Sequence, residues 1–299
     1  MRLLALSDLH VGFGVNRAAL LEIAAHPDDW LILAGDLGET GEHLRFVFDT
    51  LGPRFRRLIW VPGNHELWTS RENGELIAGE AKYEHLIALG RSHGVLTPED
   101  PYPIWHGEGG PHLIAPMFLL FDYSMRPDEV ALADAVRWAA DSGVVSSDEF
   151  RLEPAPHANL PAWCAARIAR TRERLGLALA DDPGLKTILI NHWPLREDLI
   201  HLPRIPRYTL WCGTRLTHDW HRRYRARVVV TGHLHTRRTD WIDGVRFEEV
   251  SLGYPRHWRQ ELGINQHLRV ILPEPPADLE APERYIGRRE TGPDATPDA

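Results

Sequence analysis

The sequence predicts an α/β fold of layered sheets covered by helices. Three observations predict it. Short apolar runs that end in Gly, Pro or a polar residue recur along the 299 residues and read as strands. Most of these runs are continuously apolar rather than alternating, the pattern of strands buried on both faces. Helix-like periods separate the early runs, whereas the later strands follow one another closely, which suggests stacked sheets beneath helices.

Residues 2–6 form the first strand, and Leu20, Leu21 and Ala24 put a helical period on residues 17–25. A strand at 30–34, a helix at 43–51, a strand at 58–61 and a helix at 79–93 continue the alternation. The segment 98–160 is rich in Pro, Gly and Trp, with strands expected at 112–115 and 118–121 and a helix at 128–140. It reads as an elaboration over one rim, either a lid or a long packed connection. A helix follows at 161–180, where Pro161 suits the first turn and Asn159 the cap. Strands at 186–190, 228–231, 239–242, 246–251 and 268–272 complete the pattern. From Pro273 onward Pro, Glu, Asp, Gly and Thr dominate, so 1–272 reads as one domain and 273–299 as a flexible tail.

Composition narrows the function classes. The formal net charge of −8 speaks against a general nucleic-acid binder, although a local basic patch is compatible with it. The only cysteines, Cys164 and Cys212, form no CxxC pair, so neither a disulfide scaffold nor a thiolate zinc site is expected. The first strand runs straight into Ser7-Asp8-Leu9-His10, which leaves no room for a secretory signal, and no apolar run approaches a membrane span. A cytoplasmic enzyme with no membrane partner is the expectation.

The chemistry lies at the strand ends. Asp8-Leu9-His10, Gly35-Asp36, Gly63-Asn64-His65-Glu66, His192 and Gly232-His233-Leu234-His235 stand in that order, nearly all directly after an apolar run. Five strand ends therefore deliver carboxylates, imidazoles and one amide to one edge, where open α/β sheets place their sites. Hard oxygen donors mixed with imidazole suit two adjacent ions of the Mn, Fe or Zn type. Two ions about 3.5–4 Å apart are what phosphoester hydrolysis uses to activate water and neutralise charge on the phosphoryl oxygens. Taken singly, Asp8, His10 or His235 reads as a strand-end cap; the ordered set does not. His26, His85, His93, His106, His112 and His157 lack partner spacing and are left out of the site.

With all five blocks in view, residues 1–255 resemble the calcineurin-like metallophosphoesterase superfamily. The resemblance implies a four-layer α/β/β/α sandwich of two mixed sheets flanked by helices. It implies that Asp8, His10 and His235 bind one metal, that Asn64, His192 and His233 bind the other, and that Asp36 bridges them. It also implies a dinuclear phosphoester hydrolase in which a metal-bridging hydroxide attacks phosphorus while His65 assists the leaving oxygen. Many family members place a carboxylate three residues after the bridging Asp to orient that histidine. Here this position is Glu39, which either serves through its longer arm or caps the following helix. The next residue is Thr40 where phosphoprotein phosphatases have Arg, which removes a bidentate phosphate clamp and counts against a protein phosphatase.

Substrate signals are weaker. Trp211-Cys212-Gly213-Thr214, Asp219-Trp220-His221, Gly244-Val245-Arg246-Phe247-Glu248-Glu249-Val250 and Ser251-Leu252-Gly253-Tyr254-Pro255 resemble an actinobacterial subgroup of this superfamily. That subgroup includes an enzyme that cuts the phosphodiester joining 4′-phosphopantetheine to a serine of an acyl carrier protein, which implies such a carrier as partner. Arg204, Arg207, Arg215, Arg222, Arg223, Arg225 and Arg227 make 204–227 basic, either a rim for an acidic carrier or substrate phosphate or a solvated face. Trp193, Trp211, Tyr254 and Trp258 either wall a pocket or fill the core. A small-molecule or nucleotide phosphodiesterase, a nuclease and a non-catalytic metal-dependent binding module are the alternatives.

Overall fold

The structure is a computed structural model that describes residues 1–72 and 74–275. Its strands, in chain order, are β1 (Leu3–Leu6), β2 (His26–Leu33), β3 (Phe55–Trp60), β4 (Ser70–Glu72), β5 (Glu75–Ile77), β6 (Ile104–Trp105), β7 (His112–Pro116), β8 (Lys186–Ile190), β9 (Ala226–Thr231), β10 (Arg238–Ile242), β11 (Val245–Glu249) and β12 (Arg269–Leu272). The helices are α1 (Gly14–Leu20), α2 (Gly41–Leu51), α3 (Asn64–Leu67), α4 (Gly79–Ser92), α5 (Ala135–Ala140), α6 (Asp148–Arg151), α7 (Leu160–Ala178) and α8 (Trp220–Arg223). One sheet has the order β12-β1-β2-β3 and a second the order β10-β11-β9-β8-β7-β6, while β4 and β5 form a separate hairpin.

The two-residue period of the strands sorts their side chains into layers. Leu3, Ala5, Ile32, Ala34 and Ile59 from the first sheet meet Ile114, Ile188, Ile190, Val228 and Val230 from the second in one buried cluster. The alternate residues, Leu4, Leu6, Leu31, Leu33, Leu58 and Trp60, pack instead with helix residues such as Leu20, Leu44, Val47, Phe48 and Leu86. On the second sheet Leu113, Ala115, Leu189 and Val229 join the cluster that holds Trp163, Ile168 and Leu175 of α7. The result is helix, sheet, sheet, helix. Central strands are parallel and apolar on both faces, and the edge strands β12, β10 and β6 run antiparallel.

Register brings the functional ends together. Leu6 pairs with Leu33 and Leu33 with Trp60, so the chains leaving β1, β2 and β3 emerge side by side. In the second sheet Pro116 pairs with Ile190 and Ile190 with Val230. A parallel bridge between Ser7 and Ser251 pins the two sheets at that same edge. It is extended by Leu252 N–H to Ser7 O at 2.9 Å and Gly253 N–H to Asp8 O at 3.0 Å.

Three sequence expectations are corrected. Residues 118–121 are not a strand but a buried loop: Asn191 takes the ladder's place, accepting Leu119 N–H at 3.0 Å and donating to Leu119 O at 3.3 Å. A continuous apolar run fits a buried loop as well as a buried strand. The helix expected at 128–140 is confined to α5 with a short 3-10 turn before it, because Val130 closes a turn on Pro127 O at 3.0 Å. The first helix ends at Leu20 rather than 25, and residues from His26 belong to β2. Asn159 caps α7 as expected, accepting Ala162 N–H at 2.9 Å. Residues 98–160 supply β6 and β7 to the second sheet as well as α5 and α6. Of the tail, Glu274 pairs with Arg227, and residues 276–299 lie outside the described residues. Among the described residues no helix is long and apolar enough to cross a membrane.

A half-buried ion cluster ties α4 to α7. Glu99 accepts Arg167 at 2.5 Å, Tyr83 O–H at 2.8 Å and Arg170. Burial works to raise the Glu99 carboxyl, but the Arg167 charge and these donors outweigh it and hold the group at about 2. A carboxyl lowered on folding contributes stability that is complete above its unfolded value and is lost as pH falls through its folded one. The cluster's contribution is therefore present above about pH 4.5 and disappears towards pH 2. Urea unfolding of wild type and Glu99→Gln across that window is expected to give a stability difference that shrinks as pH falls; a constant difference would contradict it.

Candidate metal centre

The ends of β1, β2 and β9 turn their functional side chains inward through an uncommon backbone state. Asp8, His10, Asp36, His233 and His235 all have φ between +42° and +74°, a left-handed region that non-glycine residues seldom occupy. Each such residue costs on the order of 1–3 kcal/mol and persists only where its surroundings over-determine it. Here they do: Asp8 N–H donates to Gly35 O at 2.8 Å and His10 N–H to Asp36 O at 3.0 Å. Two glycines let the strands close in. A Cβ on Gly35 would stand 2.6 Å from His192 Nδ1, and one on Gly232 would stand 2.4 Å from Asp8 Oδ2.

The side chains gather into two neighbouring groups. Asp8, His10 and His235 present ligand atoms within 4.8 Å of one another, as do Asp36, His192 and His233. In the first group His235 Nε2 lies 3.0 Å from Asp8 Oδ1 and 3.2 Å from His10 Nε2. In the second, His192 Nε2 lies 3.4 Å from Asp36 Oδ2, and His233 Nδ1 lies 3.3 Å from His192 Nε2 and 3.2 Å from Asn64 Oδ1. Donors seated about 2.1 Å from one cation stand about 3–3.5 Å from each other, so these spacings fit an ion in each group. His10, Asp36 and His65 also fall within 4.8 Å, which sets Asp36 between the groups and His65 at their junction.

Hydrogen bonds fix which atom each ligand offers. His192 Nδ1 stands 2.8 Å from Ala34 O, an acceptor only, so Nδ1 carries a proton and Nε2 is the atom turned to the centre. Asp8 Oδ2 accepts Ser7 O–H at 2.5 Å, Ser251 O–H at 2.7 Å and His233 N–H at 3.1 Å, leaving Oδ1 to face His235. Asp36 Oδ1 accepts His65 N–H at 3.0 Å. Glu66, fully buried, accepts Asp36 N–H and Gly63 N–H at 2.9 Å and Leu37 N–H at 2.6 Å, locking the Asp36 loop to the Asn64 loop. Burial and the Asp36 charge push the Glu66 carboxyl up to about 7.

The protein groups balance one another electrostatically. Burial alone would raise Asp36, but the His192 and His65 charges hold it well below the usual carboxylate range. Burial and the His65 charge push His10 down, and burial and the His192 charge push His233 down to about 3, so both rings are neutral donors at neutral pH. Two buried carboxylates beside the neutral His10 and His233 rings form a cation trap of hard oxygen and borderline nitrogen. Burial lowers the His192 ring, but the Asp36 charge prevails and pushes it up to about 10, so without a cation its charge balances Asp36.

His65 stands apart from the ligands in its surroundings. Its Nε2 is 3.8 Å from Asp36 Oδ2, and the Trp68 ring lies against it, tilted by 35° at a centroid distance of 3.8 Å. Its Nδ1 is 3.7 Å from Glu39 Oε1, an ion-pair distance beyond a hydrogen bond. Burial lowers the His65 ring, but Asp36 and Glu39 prevail and raise it. Glu39 does not cap the following helix: Thr40 does, its Oγ1 accepting His43 N–H at 3.3 Å. Arg151 pairs with Glu39 at 3.5 Å.

Most of the basic stretch is engaged within the chain. Arg215 pairs with Glu197 and Asp128, Arg222 with Asp243 and Arg227 with Glu274, while Arg207 and Arg225 donate to backbone carbonyls. Of the seven arginines in 204–227, three are thus paired with carboxylates and two are tied to backbone carbonyls. Among the aromatics, Trp193, Trp211 and Trp258 are buried, whereas Tyr254 walls the centre, 4.5 Å from His10 and 4.8 Å from His235. A cavity of about 230 Å³ opens behind His235 between His257 and Trp258. His257 Nδ1 lies 2.9 Å from His235 Nδ1. Sequence reasoning gave no part to Glu66, which holds the Asp36 and Asn64 loops, or to Ser251, which donates to Asp8, although both stand in recognisable motifs. Asp148, which accepts Asn64 Nδ2–H at 2.9 Å, gave no local signal.

The sequence of residues 1–237 matches the profile of the calcineurin-like phosphoesterases. The chain belongs to the calcineurin-like phosphoesterase family. It is a metal-dependent phosphoester hydrolase of that family, and its His and Asp groups are able to hold metal. A curated relative is the [acyl-carrier-protein] phosphodiesterase PptH of Mycobacterium tuberculosis, 46% identical over 273 residues, which cover 91% of this chain and 83% of the relative. The crystal structure of phosphopantetheinyl hydrolase (PptH) from Mycobacterium tuberculosis superposes with a TM-score of 0.86 at 46% identity, covering 92% of this chain and 96% of that one. The four-layer sandwich is therefore the fold of this family.

Asp36 is the one carboxylate placed between both groups. Asp36→Asn is expected to weaken metal retention at both and to cut turnover at least about 1,000-fold, since the charge stabilisation supplied through metals is worth several kcal/mol. Elemental analysis beside initial rates checks this, and a variant with wild-type metal content and rate would contradict it.

Proposed function

We propose that this protein hydrolyses a phosphodiester at a two-metal centre, with a 4′-phosphopantetheinyl carrier protein as substrate. The observation that carries the substrate is the 46% identity, across 91% of the chain, to a phosphodiesterase named for acyl carrier protein. The convergence of seven donor side chains on one sheet edge supports the centre. Asp8, His10 and His235 would hold one ion, Asn64, His192 and His233 the other, and Asp36 both. Their oxygen and nitrogen donors suit Mn, Fe or Zn. Bound there, the ions would supply Lewis-acid charge and an activated water.

The remaining work falls to protein groups. His65, beside Asp36 and raised by it, is the group placed to give a proton to the departing serine oxygen. Glu39 faces its other nitrogen and keeps the ring turned towards the centre. Tyr254 limits the space above His10 and His235. Residues 1–272 act as one catalytic domain, with 98–160 as its elaboration. The buried, unpaired Cys164 and Cys212 accord with a reducing cytoplasm.

The test is a substrate panel at matched Mn²⁺ loading. Turnover of bis-p-nitrophenyl phosphate above p-nitrophenyl phosphate is expected, together with conversion of holo-carrier protein to the apo form by loss of one 4′-phosphopantetheine. Diester hydrolysis without carrier-protein conversion would move the reading to a small-molecule phosphodiesterase. No turnover of any substrate would overturn the proposal.

A further inference from the structure

Asp148 reaches the centre from a segment that contributes no predicted ligand. It lies on α6, inside 98–160, and is fully buried. Its Oδ1 accepts Asn64 Nδ2–H at 2.9 Å and Trp68 Nε1–H at 2.6 Å, 84 and 80 residues away in sequence. Its other oxygen, Oδ2, is buried with no hydrogen-bond partner, so the carboxylate is aimed at these two donors rather than at solvent. The same short turn fastens to the site at three further points. Arg151 O accepts Thr69 N–H at 2.7 Å, and the Arg151 guanidinium lies 4.8 Å over the Trp68 ring and pairs with Glu39. Glu149 in turn holds the segment to the rest of the fold through Tyr123 O–H at 2.9 Å and Trp211 Nε1–H at 2.6 Å.

A primary amide presents either its oxygen or its nitrogen to a given neighbour, and only oxygen ligates a cation. Committing Asn64 Nδ2–H to Asp148 leaves Oδ1 facing His233 Nδ1 at 3.2 Å. Trp68, held by the same carboxylate oxygen, is the ring that packs against His65. We infer that Asp148 is a positioning residue: it orients the Asn64 amide for the second metal and the Trp68 plane against His65. The segment 98–160 is by this account part of the metal centre's support rather than a cover over it. The inference rests on the assignment of Asn64 to the second metal.

The experiment is Mn²⁺ titration of metal-free full-length protein, with melting temperature followed in parallel. Wild type is expected to bind two ions. Asp148→Ala is expected to keep the affinity of the first and to weaken the second about 10–100-fold, the usual loss when a ligand's hydrogen-bond partner is removed. Asp148→Asn, which keeps an acceptor oxygen, is expected to bind both close to wild type. Asn64→Ala is the reference for losing the second ion. If Asp148→Ala does not keep the wild-type fold, Asp148→Leu fills similar space without an acceptor and takes its place. Two wild-type ions in folded Asp148→Ala, or a loss in Asp148→Asn as large as that in Asn64→Ala, would overturn the inference. No loss in Asn64→Ala would instead overturn the ligand assignment on which it rests.

Discussion

The candidate centre is arranged around Asp36, a buried carboxylate that lies against both groups of side chains able to hold metal. A carboxylate removed from water is tolerated only when donors and positive charge surround it. His65 N–H and the rings of His192 and His65 meet that need from two different strand ends. Glu66 then fixes the loop itself through three backbone N–H groups, so Asp36 is set by structure rather than by its own local preference. The positive φ at Asp36, Asp8, His10, His233 and His235 is the backbone cost of that arrangement.

The sheets make the cost bearable. Parallel register holds the ends of β1, β2 and β3 level, and the Ser7–Ser251 bridge ties the second sheet to the first at that edge. Layers of side chains sorted by strand parity give the sheets their rigidity, and close packing resists the small shifts that would pull two ligand groups apart. In the account proposed for this chain the tasks are separate: sheets hold the spacing of the candidate ligands, strand-end loops choose their atoms, and the segment around α6 braces the loops from outside.

Much of this was legible in the sequence, for a physical reason. Asp8, Asp36, Asn64, His192 and His233 each follow closely on an apolar run, so their convergence could be read from strand ends alone. Burial on both faces also made most strands visible, although the same apolar signal disguised the loop at 118–121 as a strand. Charge was less legible: sequence left Arg215, Arg222 and Arg227 open between a rim and a solvated face, because their partners Glu197, Asp243 and Glu274 arrive through the fold. Asp148 was illegible because its meaning lies in contacts with Asn64 and Trp68, and no local spacing announces a contact across 84 residues.

The most direct test of the account is anomalous diffraction from crystals of the protein grown with Mn²⁺. Two peaks about 3.5–4 Å apart are predicted, one against Asp8, His10 and His235, the other against Asn64, His192 and His233, with the Asp36 carboxylate touching both. A single peak, or two peaks that do not share Asp36, would contradict it.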